Sequence, residues 1–430
     1  MRFLRLRKSI TKAKEKAEMI NVSLKDREIL RELAARKAQL ANCKRNDEIL
    51  EMWNKQAKGI KDTPTVRLLF SNFPREVIDP RMRCEGKEAR KLEWQLLSSM
   101  VGRELFDDDT PISDRFDVNV FVKGSPFGAR PNITKAKDSI GFHIEPLTDD
   151  IEEDFDIFRG GEFTVDMDGT KEWCAFADSI FGDILPARVM QASLKGAITN
   201  PLVMLINMET YYMSMYDCPE KLHELMDMAT KVYERYYDYL EEKGLLLPTN
   251  GFSRVAQESF AFTDELPSDG KITSTKQIWG FLESQETTAV SPAMYGEFVY
   301  PYFDRMVKRF GLLSYGCCER VDNLWEDYLS GWKNLRKLSV SPFNNEEQVG
   351  EYLRGTRVVY YSKPRAEYVT EPGPLDEDAI RKCFRDISKA SSGCLLEVAQ
   401  REVGTIFGDY ERGKRYVQLA KETISEYWQP

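Results

Sequence analysis

The chain has 430 residues, 42% hydrophobic and 30% charged, with 26 glycines and 19 prolines. These values exclude collagen-like, low-complexity and disordered classes, and the length suits a large α/β barrel with an extension. Lysine and arginine number 61 against 70 aspartates and glutamates, a net charge of −9, so no nucleic-acid partner is expected.

Charged or polar residues interrupt every apolar run, which excludes a transmembrane helix and a membrane partner. The first 16 residues concentrate Arg2, Arg5, Arg7, Lys8, Lys12, Lys14 and Lys16. They lack the apolar core of about 7–15 residues that a secretory signal needs. Glu15 and Glu18 argue against a transit peptide, and the expected location is the cytoplasm. The basic stretch reads as a solvated end, with a helix touching an anionic surface as the alternative. Eight cysteines (43, 84, 174, 218, 317, 318, 383 and 394) are scattered without a CxxC pair, so they are expected as reduced thiols. His143 and His223 are the two histidines, so any metal must lean on thiolate and carboxylate.

From Leu24 to Lys58 apolar residues recur at helical spacing. Thr65–Phe70 reads as a first strand, Arg81–Gly102 as helix, and Arg115–Val122 alternates like a half-buried strand. Asp149–Asp156 is an acidic loop or helix start. A helix at Lys171–Ile184, a strand at Ala187–Gly196 and a helix from Pro219 to Gly244 follow. Further strands are expected at Gln277–Ser284, Gly311–Cys317, Leu335–Ser341 and Thr356–Ser362. Helices at Pro292–Arg309, Leu324–Trp332, Glu346–Leu353 and Asp376–Lys389 separate or follow them. Short apolar strands alternating with helices imply a parallel sheet covered on both faces, and this many units favour a closed (β/α)₈ barrel over an open sheet. The expected organisation is a helical extension over residues 1–60 and a barrel over 61–430. No GxGxxG follows a strand, so a dinucleotide fold has no support.

A barrel keeps its chemistry at the C-terminal ends of its strands. Glu283 and Glu286 end one expected strand, and charged groups rarely end a buried strand without a task, although pairing with an arginine would also explain them. Asp264 and Glu265 precede that strand, and His143 follows a short strand-like patch, where it either lines the pocket or serves structure. Strand parity puts Tyr315, Cys317 and Glu319 on one face and Cys318 on the other. A thiolate with carboxylates suits Zn²⁺, while buried cysteines as small space-fillers are the alternative. His223 sits in a charged helix and is expected to be structural.

The motifs WGFLESQETTAVSPAMYGEFVYPYFDRMVKRFGLLSYGCCE and NLRKLSVSPFNN resemble the uroporphyrinogen decarboxylase superfamily, and FTDELP, DCPEKLHELMDMATK and DREILRELAARKAQLA fit the same group. The resemblance runs from about residue 24 to the end and implies a (β/α)₈ barrel. The arginine-rich RQAGR-type signature of true decarboxylases is missing; the matching region reads SNFPREVIDPRMRCEG. The resemblance therefore points to the zinc-dependent methyltransferases, which carry His-x-Cys at the strand end matching Tyr315-Gly316-Cys317 and another cysteine near the C-terminus, here Cys394. Tyr315 stands where the family histidine would be.

The resemblance implies a metal set of Cys317, Glu286 and Cys394, catalytic Glu283, Glu286 and Tyr315, and substrate contacts from His143, Asp264, Glu265 and Glu319. The expected activity is demethylation of a small methoxy, methylamine or methylthio compound. The methyl group would pass to a corrinoid carried by a partner protein, because the chain has no cobalamin-binding DxHxxG. A decarboxylase acting on a tetrapyrrole or small carboxylic acid, and a non-catalytic tetrapyrrole- or corrinoid-binding barrel, are the alternatives. A homodimer is left open.

Overall fold

The computed structural model describes residues 22–135, 142–255 and 257–430. The basic stretch of the first 16 residues, with its surface-contact reading, lies outside the described residues.

The expected N-terminal helix is two: α1 (Leu24–Ala41) and α2 (Lys44–Ala57). Ser23 caps α1 by accepting from the Asp26 N–H, 3.0 Å away. The break falls at Asn42, and the Asn46 amide locks it by donating to the carbonyls of Ala41 at 2.8 Å and Ile112 at 3.0 Å. β1 (Thr65–Leu68) is buried throughout. The expected helix from Arg81 starts only after Gly86, as α3 (Lys87–Ser98).

The strand expected at Arg115–Val122 divides into β2 (Phe116–Asn119) and β3 (Phe121–Ser125). β3 leaves the sheet to pair antiparallel with β6 (Glu162–Asp166), and β4 (Asn132–Lys135) and β5 (Phe142–Glu145) form a second antiparallel pair between them. Next come α4 (Met167–Phe181), β7 (Ala187–Met190) and β8 (Leu194–Lys195). The long helices α5 (Thr199–Asp217) and α6 (Pro219–Lys243) follow, the second ending at Gly244 in the left-handed conformation.

A hairpin that the sequence pattern did not reveal, β9 (Gly251–Val255) and β10 (Ser259–Ala261), comes before β11 (Trp279–Leu282). The helix expected over Pro292–Arg309 splits into α7 (Pro292–Phe298) and α8 (Tyr300–Val307), since Pro301 has no N–H to continue it. β12 (Leu312–Tyr315), β13 (Leu335–Val340), α9 (Glu346–Leu353), β14 (Val359–Ser362), α10 (Glu377–Ala390), β15 (Leu395–Gln400) and α11 (Tyr410–Tyr427) complete the chain. Leu324–Trp332 is not α-helix: its backbone bonds alternate in spacing, from Tyr328 to Leu324 and from Trp332 to Leu329, and leave only turns and a short 3₁₀ piece.

Seven strands form one parallel sheet in the order β1-β15-β14-β13-β12-β11-β8. β2 pairs in parallel with β7, which lies just ahead of β8 in the chain. Spatial order thus follows chain order, and the first strand meets the last. Among the described residues no ladder joins β2 to β1. The free edge of β1 is instead satisfied by the segment before β2: Asp109 accepts from Val66 N–H at 2.9 Å and Asp108 from Leu68 N–H at 3.2 Å.

Side chains alternate across the sheet. Val66, Leu68, Leu282, Leu313, Tyr315, Leu338, Tyr360 and Val398 face the surrounding helices and build the main core. The opposite face holds Arg67, Trp279, Lys337, Tyr361 and Glu397, and the β9–β10 hairpin covers it. Lys337 Nζ donates to Ser259 Oγ at 2.5 Å, the Phe260 carbonyl at 2.9 Å and Glu397 Oε2 at 2.9 Å. The Tyr361 hydroxyl reaches the Gln257 carbonyl at 3.0 Å, and Arg67 reaches that of Glu258 at 2.7 Å. α2 closes one end of this inner layer, with the Trp53 ring 5.2 Å from that of Phe260. All eight cysteines are free. No helix among the described residues is long and apolar enough to cross a membrane.

Candidate active site

Inward parity carries one residue past each strand to the C-terminal edge of the inner layer. After Trp279 on β11 the alternation brings Glu283 inward, where Gln257 Nε2 of the hairpin donates to its Oε2 at 3.1 Å. Burial, with the Glu286 charge adding to it, pushes the Glu283 carboxyl above its usual range, while Lys363 and Lys195 oppose the shift. The same parity brings Lys363 from β14 and Arg401 from β15 to this edge.

Parity alone fails after β12. Tyr315 points outward, its hydroxyl 2.8 Å from Ser284 Oγ and 2.9 Å from the Tyr295 hydroxyl, with the Trp332 ring edge-on at 5.2 Å. Gly316 then turns the chain at a φ of +99°, so Tyr315 and Cys317 do not share a face. Tyr315 is therefore a packing residue between sheet and helices, a correction to its expected catalytic place.

Glu319 holds the turn. Its carboxylate accepts from the Cys317 N–H at 2.6 Å and the Ser284 N–H at 2.7 Å, tying the ends of β11 and β12 together. Burial pushes this carboxyl up, against the pull of the two N–H groups. Fully buried and committed to backbone, Glu319 is not placed to contact substrate.

Cys317 and Cys318 both reach the edge, their sulphurs 3.6 Å apart, and Cys317 Sγ lies 3.0 Å from Gln285 Oε1. The contact between the two thiols draws Cys318 below its ordinary range and, together with burial, pushes Cys317 above it. Lys363 Nζ, itself buried, donates to the Cys317 carbonyl at 3.3 Å. The arrangement joins a thiol drawn below its ordinary range, a carboxyl pushed above its own and two cations on one strand edge. A cavity of about 550 Å³, lined in part by Phe70, Phe116, Phe121 and Arg254, lies on the β1–β2 side of the hairpin. Glu258 at the hairpin tip lines that cavity and also acts on the charge of Arg401.

The other expected residues lie elsewhere. Glu286 is at the same edge, but its carboxylate accepts from Thr199 Oγ1 at 2.7 Å and Asn200 Nδ2 at 2.8 Å and so anchors the start of α5. Cys394 precedes β15, at the opposite end of the sheet, with its Sγ 3.4 Å from the Gly350 carbonyl. Six strand residues at about 3.3 Å each put roughly 20 Å between it and the edge that holds Cys317. Asp264 pairs with Arg357 at 2.6 Å and Glu265 with Arg336 at 2.8 Å, both at that far end. His143 is exposed on the β4–β5 hairpin, opposite Thr134. His223 stacks on Phe298 with ring centres 4.8 Å apart and meets the Tyr302 hydroxyl at 2.8 Å, a structural histidine.

Zinc does not fit this donor set. Two thiolates on one zinc lie about 3.7 Å apart, given Zn–S bonds of about 2.3 Å, and the Cys317–Cys318 separation is close to that. Glu286 and Cys394 are turned elsewhere, and among the described residues no three His, Cys, Asp or Glu side chains gather into a group able to hold a metal ion.

No protein-family model and no curated protein sequence matches the chain. Among solved structures it is similar to a methyltransferase from Methanosarcina mazei, with a TM-score of 0.50 and 13% identity, over 87% of this chain and 98% of that one. At this identity the likeness is one of fold.

Proposed function

We propose that the chain is a methyltransferase on a uroporphyrinogen-decarboxylase-type (β/α)₈ barrel. It would take the methyl group from a small methoxy, methylamine or methylthio compound and pass it to a corrinoid on a separate protein. The fold shared with a methyltransferase and the strand order that brings β1 beside β15 both support this reading. The observation that carries it is Glu283, a half-buried carboxyl on the inner strand edge, pushed above its usual range by burial and set beside the Cys317–Cys318 pair.

Removing a methyl group from oxygen, nitrogen or sulphur leaves an atom that must gain a proton. Glu283 supplies that proton, and the Gln257 amide keeps the carboxyl aimed at the inner layer. A reduced corrinoid, when docked, supplies the nucleophile that accepts the methyl group. Lys363 steadies the Cys317 turn and lends positive charge to the edge. Uroporphyrinogen is a poor fit, because the hairpin covers the inner face and Lys337 is already spent on Glu397.

The test incubates the purified chain with free cob(I)alamin and one compound of each methylated class, following methylcobalamin by absorbance. At least one class is expected to be demethylated only when the chain is present, and Glu283→Gln should slow that reaction about 10²- to 10⁴-fold. No chain-dependent product in any class, or an unimpaired Glu283→Gln, would sink the reading.

A further inference from the structure

Two cations on neighbouring strands, Lys363 buried and Arg401 with 16% of its side chain exposed, are left without full partners. Lys363 follows β14 with 6% of its surface exposed. Its hydrogen bond is the 3.3 Å contact to the Cys317 carbonyl, and no carboxylate among the described residues comes within ion-pair reach of it. Arg401 follows β15 and meets Glu402 through NH2 at 3.4 Å, yet its Nε and NH1 are buried with no hydrogen-bond acceptor.

Buried polar groups are normally satisfied, and clusters of unmatched donors mark a missing partner. The acids around this pair do not supply it. Glu402 is 56% exposed, Glu319 is committed to the N–H groups of Cys317 and Ser284, and Glu258 contributes to the field of Arg401 without forming an ion pair with it. Burial also draws the Lys363 ammonium below its ordinary range, as expected of a cation still waiting for an anion. Arginine presents a planar fork that matches a carboxylate, and a lysine beside it adds a point charge.

We infer that Arg401 and Lys363 form a carboxylate-binding site, so that the methylated substrate is a small carboxylic acid whose acid group lies between them and whose methyl end lies toward Glu283. This rests on the methyltransferase reading for what the acid carries, not for the site itself. Position in the sheet supports the orientation: Lys363, Arg401 and Glu283 all close inward-facing rows on the same strand edge, and Lys363 and Glu283 interact electrostatically.

The test is calorimetric titration of the full chain with methoxyacetate against methoxyacetamide, 4-methoxybenzoate against 4-methoxybenzamide, and N,N-dimethylglycine against its amide. At least one acid should bind about ten- to a hundredfold more tightly than its neutral counterpart. Arg401→Gln and, independently, Lys363→Met should each erase most of that preference, while His143→Ala, exposed on the separate β4–β5 hairpin, should retain it. If no acid outbinds its amide, or if either cation variant that folds keeps the full preference, the site is refuted. Acid preference without methyl transfer in any assay would uphold the carboxylate site and refute the methyltransferase reading. Methyl transfer from neutral compounds with no acid preference would do the reverse.

Discussion

The sulphurs of Cys317 and Cys318 stand 3.6 Å apart at the same strand edge, although neighbours in a strand point to opposite faces. The Gly316 turn makes this possible, and the Glu319 carboxylate fixes it by gripping the Cys317 N–H. The contact draws Cys318 below its ordinary range and, with burial, pushes Cys317 above it, so Cys318 is the one expected to ionise first.

Thiolate, not thiol, reacts with alkylating agents. Iodoacetamide should therefore label Cys318 ahead of the other cysteines, as read by peptide mass spectrometry, with a pH inflection below that of an ordinary thiol. Cys317→Ala removes the neighbouring S–H and should move the inflection upward. Preferential labelling of Cys317, or an inflection unmoved by Cys317→Ala, would show that the contact between the thiols does not set the order of ionisation.

Glu319 makes a second claim testable by stability alone. Glu319→Gln keeps the shape but gives one backbone N–H an amide N–H₂ to face in place of a carboxylate oxygen. Leaving a buried donor unmatched costs about 1–3 kcal/mol, and urea unfolding should show a loss in that range. Because the group is buried, unchanged stability would mean that the clamp between β11 and β12 contributes nothing.

The parallel strands were legible in the sequence because each is a short apolar run ended by a helix signal, and TVRL, LLSY and LRKLSV all became strands. Glu283 and Cys317 follow the C-terminal ends of β11 and β12, where those apolar runs stop. What the pattern hid has physical causes. Tyr315 and Cys317 obeyed no common parity, since a single glycine with positive φ ended the strand between them. Asp264 and Glu265 resemble site carboxylates, but their arginine partners come from β13 and the start of β14, about 71 and 93 residues later, a pairing only the fold creates. Lys363 and Arg401 were missed although each lies two residues beyond an inward strand position, Tyr361 and Ala399. The β9–β10 hairpin was invisible because polar groups interrupt both its faces: Ser259 meets Glu397 and Lys337, and Arg254 stacks on Phe260 on the other side.

Gly316 is the position where backbone freedom matters most. A Cβ there would come within 3.1 Å of the Ser339 Cβ, and its φ of +99° is strained for any other residue. Gly316→Ala should cost about 1–3 kcal/mol of unfolding free energy. It should also slow Cys318 alkylation, since relaxing the turn toward strand geometry separates the two thiols. If stability falls while the labelling rate and inflection stay as in the wild type, the turn is needed for folding but not for the thiol pair.

Lys37 gives a pH dependence whose sign is fixed by its burial. On α1 it is 3% exposed and donates to the Arg115 carbonyl at 2.7 Å. Burial lowers its pKa from 10.5 to about 8; Asp117 and Asp114 favour the charge, and Arg188 and Arg254 oppose it. Between those two values the unfolded chain binds the proton and the folded chain does not, so unfolding takes up a proton and this lysine's contribution to stability rises with pH. The cost of burying the charge is fully present below pH 8 and is relieved by pH 10.5. The relief is about 3 kcal/mol at most, at about 1.4 kcal/mol per pH unit. Lys37→Met removes this titration. Urea unfolding of both proteins across that window should show the variant's stability relative to wild type falling by up to about this amount as pH rises. Parallel stability curves from pH 8 to 10.5 would mean that Lys37 keeps its proton in the folded chain, against the pKa that its burial imposes.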